Sequence, residues 1–261
     1  MKRSVSFIAL CLAVYFSDAQ LSTSHFTSIL ISNDTSTHVK HKTWLKPTLA
    51  LGYMGMTFIA YKYIDHHFQE ESQEGKTELK SAMATIANPL GVGRYNELAL
   101  GATTLFSLVS KNKELQKTAI IWAGSLITND FFTTQLKNTF QRHRPSSGDP
   151  YNMFDWRNGP RVNNSFPSQH TSNAFTTATV FATLYKNKKW VPPLAYGLAT
   201  LTGLSRIYNN AHWSSDVMVG AAVGFLSAKL VLKTYSVAKK KLTIMPGRNN
   251  KYTYVDIVYQ W

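Results

Sequence analysis

The chain has 261 residues, 44% of them hydrophobic, and a formal net charge of +14 at pH 7. This length suffices for one large domain or two small ones with a sizeable core. A single cysteine, Cys11, excludes an intrachain disulfide and a cysteine-based metal site. The basic balance favours phosphorylated small molecules or an anionic lipid surface as partners, and because no nucleic-acid-binding motif is present, no nucleic acid is expected.

The start of the chain, residues 1–19, is predicted to be a signal peptide. Lys2 and Arg3 form its positive end, an apolar stretch follows, and Ser17 and Ala19 are the small residues that a peptidase recognises. Cleavage there predicts export to the periplasm or cell envelope, with membrane association left open. An uncleaved anchor is the alternative, although the apolar stretch is short for one.

After a polar lead-in at 20–45, the region 46–241 carries apolar segments with helical periodicity. Six core helices are predicted at about 47–64, 95–110, 116–140, 170–187, 191–207 and 214–238. The predicted fold class is therefore all-α, a helical bundle of about six core helices. Gly220 and Gly224 would allow close helix packing.

Whether these helices cross a membrane is left open. A span needs about 20 mostly apolar residues, and the most apolar stretches, 47–61 and 217–232, fall short of that. The third segment also carries Asp130 and Lys137. A compact helical domain is favoured over six spans, although a polar catalytic interior lowers the hydropathy of true spans.

Two stretches are predicted to be non-helical. Residues 146–166 are polar and contain several glycines and prolines, and a loop of this length is typical of a lid or substrate loop. The tail, 242–261, has a turn signal at Pro246-Gly247 and then alternates aromatic and aliphatic residues, which predicts a small C-terminal β-hairpin.

The residues that can carry chemistry fall in three short pieces, of which the last is the most informative. Five residues separate Arg206 from His212, and three separate His212 from Asp216. On a helix, His212 and Asp216 would share a face, so the carboxylate could accept a hydrogen bond from Nδ1 and leave Nε2 as a nucleophile or base. Arg206 could bind phosphate oxygens with its guanidinium fork. A helix cap with a surface ion pair is the alternative interpretation.

The middle piece, Pro167-Ser168-Gln169-His170, directly precedes a predicted helix. Ser168 suits the N-cap, and the backbone N–H groups at a helix start favour an anion. His170, in the first turn, could donate or accept a proton. A capped helix with an incidental histidine is the alternative.

In the first piece, Lys137 is followed after six residues by Arg144-Pro145. Seven positions are two helical turns, so Lys137 and Arg144 could point the same way. The alternative is a solvated basic helix end, which would include Arg142 and His143.

In this order, the three pieces resemble the signature of the type 2 phosphatidic acid phosphatase superfamily, which includes bacterial class A acid phosphatases and vanadium-dependent haloperoxidases. The resemblance spans roughly residues 95–235 and is specific at the three pieces. It implies that His212 attacks phosphorus, that Asp216 orients it, and that His170 protonates the leaving oxygen and then activates water. It implies phosphate binding by Lys137, Arg144, Ser168, Gln169 and Arg206, without a metal or cofactor.

One position departs from the family pattern, since Gln169 stands where the family usually has glycine. A backbone N–H contact survives this change because every residue except proline supplies one. The extra side chain could crowd a bulky substrate or add a hydrogen bond, so the departure bears on substrate preference more than on catalysis.

The expected function is hydrolysis of phosphate esters, on a lipid phosphate or lipid-like substrate in the cell envelope, through a phosphohistidine. Three alternatives remain open. They are a haloperoxidase with vanadate in the phosphate site, a soluble non-specific acid phosphatase, and a non-enzymatic envelope protein that keeps the scaffold.

Overall fold

The computed structural model describes residues 45–74, 76–159, 162–248 and 253–259. The chain divides into two units, 1–48 and 49–261, and of the first only the start of a helix is described. The expected signal peptide lies outside the described residues, as does the polar lead-in up to residue 44.

Eight α-helices make up most of the described part of the chain. They are α1 (Leu45–Ile59), α2 (Asp65–Glu74), α3 (Glu78–Ala87), α4 (Gly93–Val109), α5 (Lys113–Phe140), α6 (Gln169–Leu184), α7 (Val191–Tyr208) and α8 (Ser214–Lys241). A π-helical segment, Ala60–Ile64, joins α1 to α2, and 3-10 turns cover Asn88–Gly91 and Pro145–Ser147. The predicted helical class is therefore confirmed.

The six predicted helices correspond to α1 with its π-helical extension and to α4 to α8, with ends that agree within three residues. The sequence does not predict α2 and α3. The first of these reads DHHFQEESQE and has too few apolar residues to show a helical period. The second is short, and its start is marked by Thr77, whose side chain caps the helix by accepting a hydrogen bond from the N–H of Lys80.

Helix α6 lies at the centre of the bundle and packs against α5, α7 and α8. Helix α8 approaches the start of α6 closely, because a Cβ atom on Gly220 would lie only 2.5 Å from the backbone oxygen of Ser168. The predicted role of Gly220 in close packing is thus confirmed. This contact places the first turn of α8 beside the start of α6, where the N–H of Ser168 donates to the backbone oxygen of Asp216 at 3.0 Å.

The 3-10 turn before α4 is also held against the start of α6. Asn173 Nδ2 donates to the oxygen of Gly91 at 3.2 Å. A Cβ on Gly91 would lie 2.5 Å from the oxygen of His170, so the two backbones touch. Asn88, at the start of the turn, is thereby brought to the motif residues.

Beyond α8, the strands β1 (Leu242–Arg248) and β2 (Thr253–Tyr259) pair antiparallel, with Ile244 opposite Ile257. The residues that join the strands lie outside the described residues, so the expected hairpin stays a prediction. By length and composition, one stretch among the described residues, Ser214–Ala238, could cross a membrane.

Candidate active site

Two of the motif cations meet at one asparagine. Lys137 lies in the last turn of α5, which ends where Gln141 adopts a left-handed conformation (φ 44°). Arg144 is therefore beyond the helix, and the two-turn explanation for its direction is wrong. Lys137 Nζ instead donates to the backbone oxygen of Asn164 at 2.5 Å, and Arg144 Nε and Nη2 donate to its Oδ1 at 3.2 and 2.8 Å.

The third cation, Arg206, comes from the last turn of α7. Its Nη1 donates to Oδ1 of Asn88, on the 3-10 turn before α4. Its Nε is buried and has no hydrogen-bond partner among the described residues. Because a buried donor without a partner is costly, this atom is placed to bind an anion that enters the site.

His212 lies in the turn between α7 and α8, and Asp216 in the first turn of α8. The helix starts at residue 214 as predicted, so the two residues do not share a helix face, yet their side chains still meet. His212 Nδ1 is 3.8 Å from Asp216 Oδ2, which is longer than a hydrogen bond. Ser165 bridges them, because its hydroxyl donates to Asp216 Oδ2 at 2.6 Å and lies 3.5 Å from Nδ1. With Nδ1 on this side, Nε2 is the ring nitrogen left for chemistry.

Arg142 is fully buried, so its interpretation as part of a solvated basic patch is wrong. Its Nη1 donates to Asp216 Oδ1 at 2.6 Å, and its Nη2 donates to Asp65 Oδ2 at 2.7 Å. Sequence reasoning missed Asp65 and Asn164 as well, since nothing in their local pattern distinguishes them from surface residues.

The start of α6 has the predicted cap. Ser168 is buried, and its hydroxyl accepts from the N–H of Thr171 at 3.4 Å and from its Oγ1 at 2.9 Å. The Gln169 side chain donates to Asp130 Oδ1 at 2.7 Å. This contact ties Gln169 to α5 and restricts how far its side chain can crowd a substrate.

The cations and burial together shift the pKa values in the site. Burial, followed by the charges of Arg206, His212, Lys137 and Arg144, lowers the pKa of His170 to about 3. Burial lowers the pKa of His212 to about 4, and Lys137 and Arg144 add to this while Asp216 opposes it. Burial also lowers the pKa of Lys137 to about 7. Both histidines are therefore neutral at pH 7, in a positive region that attracts an anion.

Within the described ranges, no group of three or more His, Cys, Asp or Glu side chains is arranged to hold a metal ion. The polar groups that converge are instead cations, neutral imidazoles and one carboxylate.

Comparison with known proteins agrees with this arrangement. The chain is 50% identical over 68 residues to lipid A 1-phosphatase of Porphyromonas gingivalis, a match that covers 26% of this chain and 15% of that protein. It is 30% identical over 131 residues to a putative undecaprenyl-diphosphatase of Escherichia coli, covering 49% of this chain and 61% of that protein. The chain thus spans less than two thirds of the length of these relatives.

The fold is shared with a solved protein. The crystal structure of a transmembrane PAP2-type phosphatidylglycerolphosphate phosphatase from Bacillus subtilis superposes with a TM-score of 0.54 at 20% identity. This superposition covers 73% of the present chain and 95% of that chain. The model of the PAP2 superfamily matches residues 118–240, which contain all three motif pieces. Over these residues the chain matches the PAP2 superfamily, which confirms the resemblance found in the sequence.

Proposed function

We propose that this protein hydrolyses phosphate esters of lipids, without a metal ion, through a phosphohistidine formed on His212. The observation that carries the proposal is the convergence of three buried or half-buried cations beside two neutral histidines. Phosphoryl transfer needs positioning and charge neutralisation more than covalent chemistry from the protein, and fixed cations in a water-poor site supply both.

In the first half-reaction, the three cations and the start of α6 hold the non-bridging oxygens. Nε2 of His212 attacks phosphorus while the bond to the leaving oxygen breaks. The negative substrate raises the pKa of His170 from its low value in the free site, so His170 arrives protonated and gives its proton to the leaving oxygen.

In the second half-reaction, His170 is neutral again and accepts a proton from water. The resulting hydroxide attacks the phosphohistidine, the P–N bond breaks, and phosphate leaves with His212 restored. Asp216 acts in both halves, because its carboxylate faces Nδ1 and stabilises the positive charge that the phosphorylated ring carries.

An open groove supports a lipid as the substrate. It has a volume of about 420 Å³ and lies between the 3-10 turn and helices α4, α6 and α7, with an apolar lining that includes Leu90, Ala99 and Leu198. Its lining includes Pro89, the residue after Asn88, whose side chain accepts a hydrogen bond from Arg206. A phosphate at Arg206 would therefore have its apolar chain directed along this groove.

The outer surface of the helices fits the same substrate. Large apolar side chains are exposed on α4, α5, α7 and α8, among them Leu105, Ile127, Leu201 and Leu226. Exposed apolar surface of this extent favours contact with a bilayer. We therefore propose that the protein works in the cell envelope at a membrane, where phosphorylated lipids are found.

The proposal is tested by phosphate release in EDTA from p-nitrophenyl phosphate, phosphatidic acid and a polyprenyl diphosphate. We expect release by the native protein and a loss of at least about a thousandfold in His212→Ala. His66→Ala is the matched control, since His66 is exposed on α2. Equal activity of the two variants would exclude His212 as the nucleophile, and release that stops in EDTA would exclude the metal-independent reaction.

The lipid part of the proposal is tested by narrowing the groove. Ala99→Phe should reduce turnover of long-chain phosphatidic acid by about ten- to hundredfold, mainly through KM, and leave p-nitrophenyl phosphate unaffected. Ala102→Phe is the control, because Ala102 is exposed on the same helix and does not line the groove. Equal losses for both substrates, or none for the lipid, would contradict a chain-binding groove.

A further inference from the structure

We propose that Asp65 and Arg142 are positioning residues for the phosphatase reaction, and that Asp65 restores the negative charge beside His212 that Arg142 would otherwise cancel. The proposal rests on the proposed role of His212 as the nucleophile. It concerns two residues that are not among the motif residues, and one of them, Asp65, lies outside the part of the chain that matches the family.

The guanidinium of Arg142 is fixed on both edges. Its ion pairs with Asp216 (2.6 Å) and Asp65 (2.7 Å) join side chains that are 1% exposed or less. The remaining donors are also used: Nε and Nη2 donate to the oxygen of Tyr151 at 3.0 and 2.6 Å, and Nη1 donates to Ser215 Oγ at 2.8 Å. A planar group held by this many bonds has one orientation, so it fixes Asp216 in turn.

Three aromatic rings enclose the same guanidinium. The rings of Tyr61, Phe154 and Trp213 have their centroids 5.4, 5.3 and 5.4 Å from Cζ of Arg142. The rings stabilise the cation and exclude water from it. In such surroundings the charges of Arg142 and its partners act on their neighbours with little screening.

Asp65 reaches this cluster from a distant part of the chain. It begins α2, directly after the π-helical segment Ala60–Ile64, and π-helical turns are frequent at functional sites. Its carboxylate accepts hydrogen bonds from Arg142, from the N–H of Ser215 (2.8 Å) and from Ser215 Oγ (2.6 Å). Ser215 is the residue before Asp216, so Asp65 holds the turn that carries the carboxylate partner of His212.

The charge state of Asp65 follows from these partners. The pKa of Asp65 lies above its ordinary value, because burial and the charge of Asp216 outweigh the charge of Arg142 and the hydrogen bonds from Ser215 and Arg142. Every hydrogen bond that the Asp65 side chain makes is one that it accepts, which is the pattern of an ionised carboxylate. Asp65, Arg142 and Asp216 together therefore carry one net negative charge.

This net charge matters because His212 becomes positive during the reaction. A phosphorylated imidazole that keeps its Nδ1 proton is a cation. A neutral pair of Arg142 and Asp216 would stabilise that cation weakly, whereas the triad with Asp65 supplies an uncompensated negative charge. The alternative is that Asp65 and Arg142 only tie α2 to the rest of the fold, as a buried ion pair can.

The positioning role and the purely structural role predict different effects on the titration of His212. Asp65→Asn leaves no net charge in the triad, Arg142→Gln leaves two negative charges, and the double variant leaves one, as in the native protein. The positioning role predicts that His212 titrates at lower pH in Asp65→Asn, at higher pH in Arg142→Gln, and near the native pH in the double variant. The other groups that face His212 are unchanged in all three: Lys137, Arg144, His170 and Asp216.

The pH at which His212 titrates in each variant is measured by NMR on the full chain with ¹³C-labelled histidine. His212→Ala is used to assign the signal. Glu70→Gln, an exposed carboxylate of α2, is the control and should not move the titration. The test needs only two of the three variants to fold, because any two include at least one single variant with a predicted shift. The same pH in those variants as in the native protein would overturn the proposal. The measurement needs no substrate, so it stands even if the protein releases no phosphate.

Turnover supplies the second readout. Asp65→Asn should lower kcat for phosphate release by about ten- to hundredfold, as is typical when the outer partner of a functional histidine is lost, with little change in KM. In an Arg142→Gln background the same substitution should cost much less, because the charge of Asp216 is then not cancelled and needs no compensation from Asp65. Equal losses of kcat in both backgrounds would show a purely structural role and overturn the proposal.

Discussion

Arg142 and His143 are neighbours in the sequence, and each lies between two carboxylates, but in different surroundings. Arg142 is enclosed with Asp65 and Asp216 and is fully buried. His143 has Nδ1 2.6 Å from Asp149 Oδ2 and Nε2 3.2 Å from Asp155 Oδ2, and both of these carboxylates are partly exposed. A cation between two carboxylates therefore has different effects when the cluster is buried and when it is exposed to solvent.

The buried cluster acts on the candidate active site. Burial alone would raise the pKa of Asp216, but the charge of Arg142, the nearby ring of His212 and the hydrogen bond from Ser165 hold this pKa well below its usual range. Asp216 therefore stays ionised beside His212 at any pH at which the protein is expected to work.

The exposed cluster around His143 holds together the loop that follows α5. Asn163 Nδ2 donates to Asp155 Oδ2 at 2.6 Å, so His143, Asp155 and Asn163 join the two ends of the loop that supplies Asn164 to the cations. Burial would lower the pKa of His143, but the hydrogen bonds to Asp149 and Asp155 raise it above its ordinary value.

The largest effect on stability is expected from Arg142→Met. This change leaves Asp65 and Asp216 buried without their cation, so the free energy of unfolding should fall by about 3–5 kcal/mol. Urea unfolding measures it. Arg157→Met is the control, because Arg157 is exposed on the same loop, and it should cost less than about 1 kcal/mol. Similar losses in the two variants would contradict the distinction between buried and exposed charge.

A smaller and pH-dependent effect is expected from His143→Gln. Because the pKa of His143 is raised in the folded state, its stabilisation is fully present below its ordinary pKa of about 6.5 and is lost as the pH rises through the raised value. The difference in unfolding free energy between native protein and variant should therefore be larger at pH 5 than at pH 9. A difference that does not vary with pH would contradict this account.

The sequence predicted contacts between residues that are near each other in the chain and missed contacts between residues that are far apart in the chain. His212 and Asp216 are four residues apart in the sequence, so their side chains approach each other although only Asp216 lies in the helix. Arg142 is 77 residues from Asp65 and 74 from Asp216. Nothing local to Arg142 distinguishes it from a solvated helix end, so its burial could be found only from the fold.

The same reasoning applies to the helices. The long apolar segments were predicted almost to their ends, because burial imposes a period on the sequence. Helix α2 escaped prediction since it is held largely by specific polar contacts, such as those of Asp65 with Ser215 and of Gln69 with Asn210 (2.9 Å). The contacts of Asn88 and Asn164 with the motif cations were missed for the same reason.

The measurement that tests the central claim most directly is the capture of the phosphorylated enzyme. The native protein is mixed with ³²P-labelled phosphatidic acid in EDTA and quenched in alkaline detergent during turnover. We expect label on the protein that is stable to alkali, lost in acid, located on His212 by peptide mapping, and missing from His212→Ala. Phosphate release without any labelled enzyme, or label at another residue in both proteins, would contradict the phosphohistidine mechanism.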